Sequence, residues 1–330
     1  MSEKIVLTGI KPTGLAHLGN YIGALKPLVE MSKSNTTFMF IADLHALNFM
    51  RDATALRRHT YEIAAGLVAL GLDLKNAVLF RQSDIIEVPQ LSTFLMNVTP
   101  KGLMNRAHSY KAAMDKNAAA GLDTDAGVNM GLYTYPILMA ADILLYNSDI
   151  VPVGADQKQH VEFARDIAGY FNNIYGETFK MPTPVIGAET GMLPGLDGRK
   201  MSKSYGNVIP LFAPSGELKK KIMRIITDSK QPDEPKDPDT STIFQLYKHF
   251  ATPDEIAAFR ARFTAGGMGY GTAKTILFEK IDSVLSGPRA EYERLMANPD
   301  ELDKILDSGA ARARAVAAQT LARVRHAMLG

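Results

Sequence analysis

The chain has no cysteine, no tryptophan and little net charge. Without cysteine, disulfides, thiolate zinc sites, iron–sulfur clusters and cysteine nucleophiles are excluded together. No run of about eighteen apolar residues occurs, and the polar start Met1-Ser-Glu-Lys4 has no signal-peptide character, so no membrane partner is expected and the cytoplasm is the default location. A net charge of +2 is too small for global attraction to nucleic acid. RNA contact has to rest on local patches, and no DNA partner is expected. What is present is a chain of 330 residues, 46% of them apolar, which suffices for a real core and two domains.

Ile5 to Leu7 read as a buried strand, Lys11-Pro12-Thr13-Gly14 as a turn, and Leu18, Ile22 and Leu25 fall at helical spacing. His17, Gly19 and Asn20 therefore stand at a helix start, where free N–H groups and the positive dipole end favour a phosphate. The alternative is an ordinary first strand-helix unit with a chance histidine. Far downstream, Gly198-Arg-Lys200-Met201-Ser202-Lys203-Ser204 puts two lysines and two hydroxyls in one loop, a composition suited to a polyphosphate or to a solvated charge cluster.

Pro-Thr-Gly-Leu-Ala-His17-Leu-Gly19-Asn20 followed by Lys200-Met-Ser-Lys203-Ser204 resembles the paired signature of class I aminoacyl-tRNA synthetases. Asn20 departs from the archetypal histidine; it can position a nucleotide by hydrogen bonding but cannot act as an acid. The fold implied is α/β: a doubly wound parallel sheet, Rossmann-like, forming the catalytic domain, with a smaller all-helical domain. The expected divisions are 1–204 for the catalytic domain, 205–295 for a helical anticodon-binding domain and 296–330 for a C-terminal helix packing back on the first.

Along the chain, Thr37-Phe-Met-Phe-Ile-Ala-Asp43-Leu-His45-Ala-Leu47 reads as a second buried strand ending in two polar groups, Asp43 and His45, which are either site residues or a helix cap and a satisfied histidine. Thr54 to Leu70 reads as a helix, Ala77 to Arg81 as a strand and Val88 to Asn97 as a helix. The basic stretch Lys101 to Lys111 offers Arg106 and Lys111 to phosphate or to solvent, and the run Lys116-Asn-Ala-Ala-Ala-Gly121 reads as mobile.

In Tyr135-Pro-Ile-Leu-Met139-Ala-Ala-Asp142-Ile-Leu-Leu-Tyr146 the spacing puts Tyr135, Met139, Asp142 and Tyr146 on one helical face. Asp142 has apolar neighbours on both sides. A shielded carboxylate without a partner is costly, so either a backbone N–H satisfies it or its missing partner is a ligand donor, with Tyr135 and Met139 as walls. With Asp149-Ile-Val151-Pro-Val153-Gly154-Ala155-Asp156-Gln157-Lys-Gln-His160 and Gly269-Tyr-Gly271, the chain is similar to bacterial tryptophanyl-tRNA synthetases over nearly its whole length.

That resemblance implies that Asp142 accepts the indole N–H, with Met139, Tyr135, Gln157, His45, Val151 and Val153 around the tryptophan. It implies an ATP site of Lys11, Pro12, Thr13, Gly19, Asn20, Gly154, Ala155, Asp156 and Met192, the last against adenine, with Met201, Ser202 and Ser204. Lys200, Lys203, His17 and Asn20 are then the catalytic set, ATP is the substrate and carries Mg2+, tRNA(Trp) is the acceptor, and a homodimer is expected. Lys11 stands where relatives place glutamine. Indole chemistry agrees, because a lone carboxylate in an apolar slot matches one N–H donor and rejects phenylalanine. A tyrosyl enzyme of the same fold and a non-enzymatic nucleotide-binding regulator are the alternatives.

Beyond Ser204, Glu217 to Ile226 is a helix burying Leu218, Ile222 and Ile225, and helices follow around Ile243 to Phe250 and Pro253 to Phe263. Gly266-Gly-Met-Gly-Tyr-Gly271 fails the spacing of phosphate loops and reads as a turn before a helix. The last helix, Pro299 to Met328, has Asn298 as its expected cap. Arg312, Arg314, Arg323 and Arg325 read as a solvated face or, alternatively, an RNA contact.

Overall fold

The computed structural model describes residues 4–154, 157–186 and 193–330. Its strands are β1 (Ile5–Ile10), β2 (Thr36–Ile41), β3 (Ala77–Arg81), β4 (Ile150–Val153) and β5 (Thr183–Ile186). They form one parallel sheet in the order β3-β2-β1-β4-β5. The order reverses between β1 and β4, the point where an open doubly wound sheet leaves a crevice at the carboxyl ends of its strands.

Helices α1 (Leu18–Asn20), α2 (Lys26–Ser32), α3 (Asp43–Ala46), α4 (Ala53–Ala69), α5 (Glu87–Met96), α6 (Lys101–Met104), α7 (His108–Ala119), α8 (Met130–Leu145) and α9 (Lys158–Tyr175) alternate with the strands. A π-helical segment, Tyr21–Leu25, joins α1 to α2. After the sheet come α10 (Ser215–Met223), α11 (Thr242–Tyr247), α12 (Pro253–Ala265), α13 (Tyr270–Met296) and α14 (Pro299–Leu329).

Strand periodicity sorts the core into two layers. Met39, Ile41, Ala77 and Leu79 point to one face of the sheet and join a cluster with α4 and α10 to α13. Phe38, Phe40, Val78 and Phe80 point to the other and pack with α5, α8 and α9. Apolar residues on both faces are what a parallel sheet covered on both sides requires.

Helix α14 joins the layers. Leu302 and Leu306 belong to the first cluster, and Ala310, Ala313, Ala317, Leu321 and Val324 to the second. It passes the edge strand β3 at Gly309, where a Cβ would lie 1.7 Å from the carbonyl oxygen of Leu79. Only glycine admits that approach, and the helix covers an otherwise open sheet edge.

Local expectations are refined at three places. The run Lys116 to Ala119 is the last turn of α7, and Asn117 is buried, donating to the carbonyls of Thr124 and Ala126, so its alanines propagate a helix. Asn298 holds the expected N-cap position of α14, but its side chain makes no cap bond and donates to Glu301 instead. Arg312, Arg314, Arg323 and Arg325 of α14 are all exposed, as a solvated face requires, and three of them also meet the protein. Arg312 donates to the carbonyls of Leu74, Lys75 and Ala77, Arg323 to Asn147, and Arg314 lies 3.6 Å from the buried Glu87.

Candidate functional site

The site is assembled from connections at the carboxyl edge of the sheet. Beyond β1 the chain turns through Gly14, whose φ of +93° is in the left-handed region. His17 then caps α1. Its Nδ1 accepts from the backbone N–H of Asn20 at 3.3 Å, while Asn20 Oδ1 accepts from the backbone N–H of His17 at 3.1 Å. Because Nδ1 is an acceptor, the neutral ring carries its proton on Nε2. Burial, aided by the charge of Lys203, lowers the His17 pKa to about 4, so the imidazole is neutral at pH 7. The arrangement presents a neutral N–H donor. Asn20 is exposed, with its side-chain oxygen committed to the cap.

The Lys200 to Ser204 loop lies against this turn. Lys203 Nζ donates to the Thr13 carbonyl at 3.0 Å, and a Cβ placed on Gly19 would lie 3.6 Å from Met201 Cβ. Backbone bonds from Leu18 to Ile209 and from Leu211 to Ala16, both 2.9 Å, fasten the two segments together. The loop is shaped by Asn207, a residue in neither motif. Its amide donates to Asp197 at 2.7 Å and to the Lys200 carbonyl at 3.1 Å, and its oxygen accepts from Ser202 N–H at 2.8 Å. Lys200, Lys203 and Ser204 are exposed, as are Lys11 and Thr13, whereas Met201 and Pro12 are buried. Burial depresses the Lys203 pKa, and the Glu62 carboxylate opposes that.

The second centre surrounds Asp142 on α8, which is 1% exposed. The expectation that it lacks a side-chain partner gives way: Gln82 Nε2 donates to Oδ1 at 3.0 Å and to Oδ2 at 2.8 Å, and His45 Nε2 lies 3.0 Å from Oδ2. Burial still raises its pKa, with the His45 and Gln82 bonds pulling the other way. His45, on α3 just beyond β2, is therefore drawn to Asp142, while Asp43, the first residue of α3 and not its cap, accepts from the N–H groups of Leu44 and Ser83 at 2.9 Å. Tyr135 is buried, and its hydroxyl bonds Ser109 at 3.2 Å and His160 at 2.5 Å, tying α7, α8 and α9 together. Tyr146, on the predicted face, is fully buried and stacks on Phe38 at 4.7 Å.

Met139 and Val153 are half-buried, Val151 is buried, Gly154 is exposed, and Gln157 N–H donates to the Gly154 carbonyl at 2.9 Å. Ala155, Asp156 and Met192, all expected at the nucleotide, lie outside the described residues. Among the described residues no three His, Asp or Glu side chains gather to hold a metal ion, and no helix is long and apolar enough to cross a membrane.

The sheet order and the paired loops define a class I tRNA synthetase, and the family model of tRNA synthetases class I (W and Y) matches residues 2–286. A tryptophan–tRNA ligase from Pseudomonas aeruginosa is 52% identical over 328 residues, 98% of this chain and 73% of that protein. One from Neisseria meningitidis is 48% identical over 331 residues, 99% of this chain and 98% of the relative. The structure is also similar to tryptophanyl-tRNA synthetase from Campylobacter jejuni, solved with ADP and tryptophan, at a TM-score of 0.89, 42% identity and 98% coverage of both chains. The chain belongs to the tryptophan–tRNA ligases of this family.

Proposed function

We propose that the chain joins L-tryptophan to ATP, forming tryptophanyl-adenylate and pyrophosphate, and then passes the tryptophanyl group to the terminal ribose of tRNA(Trp). The substrate carboxylate attacks the α-phosphorus, the bond to the β-phosphate oxygen breaks, and pyrophosphate carries off the electron pair. No side chain serves as nucleophile, so catalysis is positioning and charge stabilisation, and alignment alone is worth roughly 7 to 11 kcal/mol.

The observation that carries this reading is the buried Asp142 carboxylate with three of its contacts filled. A carboxylate offers about four acceptor positions, so one remains, and indole brings one N–H donor. Tyr135, Met139, His45, Gln157, Val151 and Val153 are assigned to the rest of the amino acid. The nucleotide is assigned to Pro12, Thr13, His17, Gly19 and Asn20, with Gly154, Ala155, Asp156 and Met192 at ribose and adenine. The neutral His17 Nε2–H donates to phosphate, and Lys200 and Lys203, with Met201, Ser202 and Ser204, stabilise the departing pyrophosphate. Lys11 adds a charge beside the triphosphate. Mg2+ carried by the ATP substrate would offset part of the phosphate charge. Residues 205–295 are assigned to the anticodon, 296–330 to bracing the catalytic part, and the working unit to a homodimer.

ATP–pyrophosphate exchange with each of the twenty amino acids is the test. Exchange with tryptophan alone supports the reading; exchange favouring tyrosine, or none, refutes it.

A further inference from the structure

We infer that Gln82 is a positioning residue that determines tryptophan specificity: its amide orients the Asp142 carboxylate and leaves one acceptor for the indole. The inference rests on the Asp142 reading above. Gln82 is 0% exposed and directly follows the β3 strand, outside both signature motifs.

The amide has one orientation. Its Oε1 accepts from the backbone N–H of His45 at 3.3 Å, which obliges Nε2 to face Asp142, where it donates to both carboxylate oxygens. A flipped amide would turn an oxygen toward the carboxylate and an NH2 toward an N–H, losing every bond.

The backbone on either side is fixed. Arg81 is held by Asp84, Asp303 and Asp307 at 2.7, 2.8 and 2.6 Å, and Ser83 N–H is held by Asp43. Gln82 is thus preorganised: it cannot follow a displaced carboxylate, and the carboxylate must align with it. Its donor also favours the ionised carboxylate, which accepts from indole; a protonated Asp142 would turn a hydrogen toward the N–H instead. The titratable groups facing Asp142 are His45 and Asp43 on α3 and Tyr146 just beyond α8, and of these only His45 favours ionisation.

Pyrophosphate exchange of the full chain across pH tests this. In Gln82→Met the tryptophan KM rises about tenfold or more, with kcat and the ATP KM within about threefold of the parent, because a hydrogen bond to a charged group is worth about 1.5 to 3 kcal/mol. Its acid limb in tryptophan KM moves to higher pH. In Gln82→Glu two carboxyls abut, and lowering the pH supplies a shared proton that restores a donor. Its tryptophan KM therefore improves as pH falls, while that of the parent worsens.

An unchanged tryptophan KM in Gln82→Met, or equal losses in kcat and both KM values, overturns the inference. Should that variant fail to fold, a Gln82→Glu profile running in the parent's direction overturns it as well. Asp142→Asn, assayed alongside, separates the two claims. If it is harmless the Asp142 reading fails; if it is damaging while the Gln82 variants are not, only the role of Gln82 fails.

Discussion

Replacing Gly309 by alanine places a methyl group 1.7 Å from the Leu79 carbonyl oxygen and 2.6 Å from its carbon. Cβ atoms essentially never approach closer than 3.0 Å, so α14 and the edge strand must separate by at least 3.0 minus 1.7, or 1.3 Å. Neither partner is a flexible side-chain tip, since one is helix backbone and the other a strand in the sheet. Overpacking of this kind costs about 3 kcal/mol or more. At roughly 2 °C per kcal/mol for a chain of this size, the thermal midpoint falls by about 6 °C or more. The displacement also strains Arg81, whose partners Asp303 and Asp307 stand on α14 near Gly309. Gln82 follows Arg81, so tryptophan binding weakens alongside stability. Thermal melting and tryptophan titration check both effects, and bound tryptophan is read without background because the chain has none. An unchanged midpoint in Gly309→Ala would refute the packing argument, and a lowered midpoint with undiminished tryptophan affinity would refute the link to the site.

Other outcomes follow from the loops. Lys203→Ala lowers kcat of adenylate formation by roughly a hundredfold and raises tryptophan KM far less, since pyrophosphate charge grows in the transition state; steady-state kinetics give the ranking. Lys11→Gln raises the ATP KM, measured in the same assay, because it removes a charge beside the triphosphate. His17 is protonated in the unfolded chain below its ordinary 6.5 but in the folded chain only below about 4. Stability from this residue is therefore present above pH 6.5 and lost as pH falls from 6.5 toward 4. In His17→Gln the thermal midpoint changes less across that window than in the parent.

Much of the fold was legible because periodicity is local. Ala77–Arg81 has the predicted bounds, and α14 starts at the predicted Pro299. The Lys200 loop and the His17 turn were found by residue type and order. What escaped was set by contacts between distant segments. Gln82 lies 60 residues from Asp142 in sequence, and a glutamine carries no pattern of its own. Its one signal was its place just past a strand's carboxyl end, where ligand groups gather. Asn207 was hidden likewise, its role arising from a loop closing on itself. On α14, Arg312 and Arg323 lie on one face and Arg314 and Arg325 on the opposite one, and spacing alone could not tell that Arg312 meets the β3 edge. The small-residue run ending α7 carries no distinguishing pattern, because alanine, common in mobile segments, is also the strongest helix former.

The claim on which the account turns is that Asp142 spends its remaining acceptor on indole. Pyrophosphate exchange with tryptophan and with phenylalanine, in the parent and in Asp142→Asn, measures this directly. The expected result is that kcat/KM for tryptophan falls by roughly 10- to 150-fold, the worth of about 1.5 to 3 kcal/mol for a bond to a charged group, while that for phenylalanine does not fall. An Asp142→Asn variant that folds and keeps its full preference for tryptophan would contradict it.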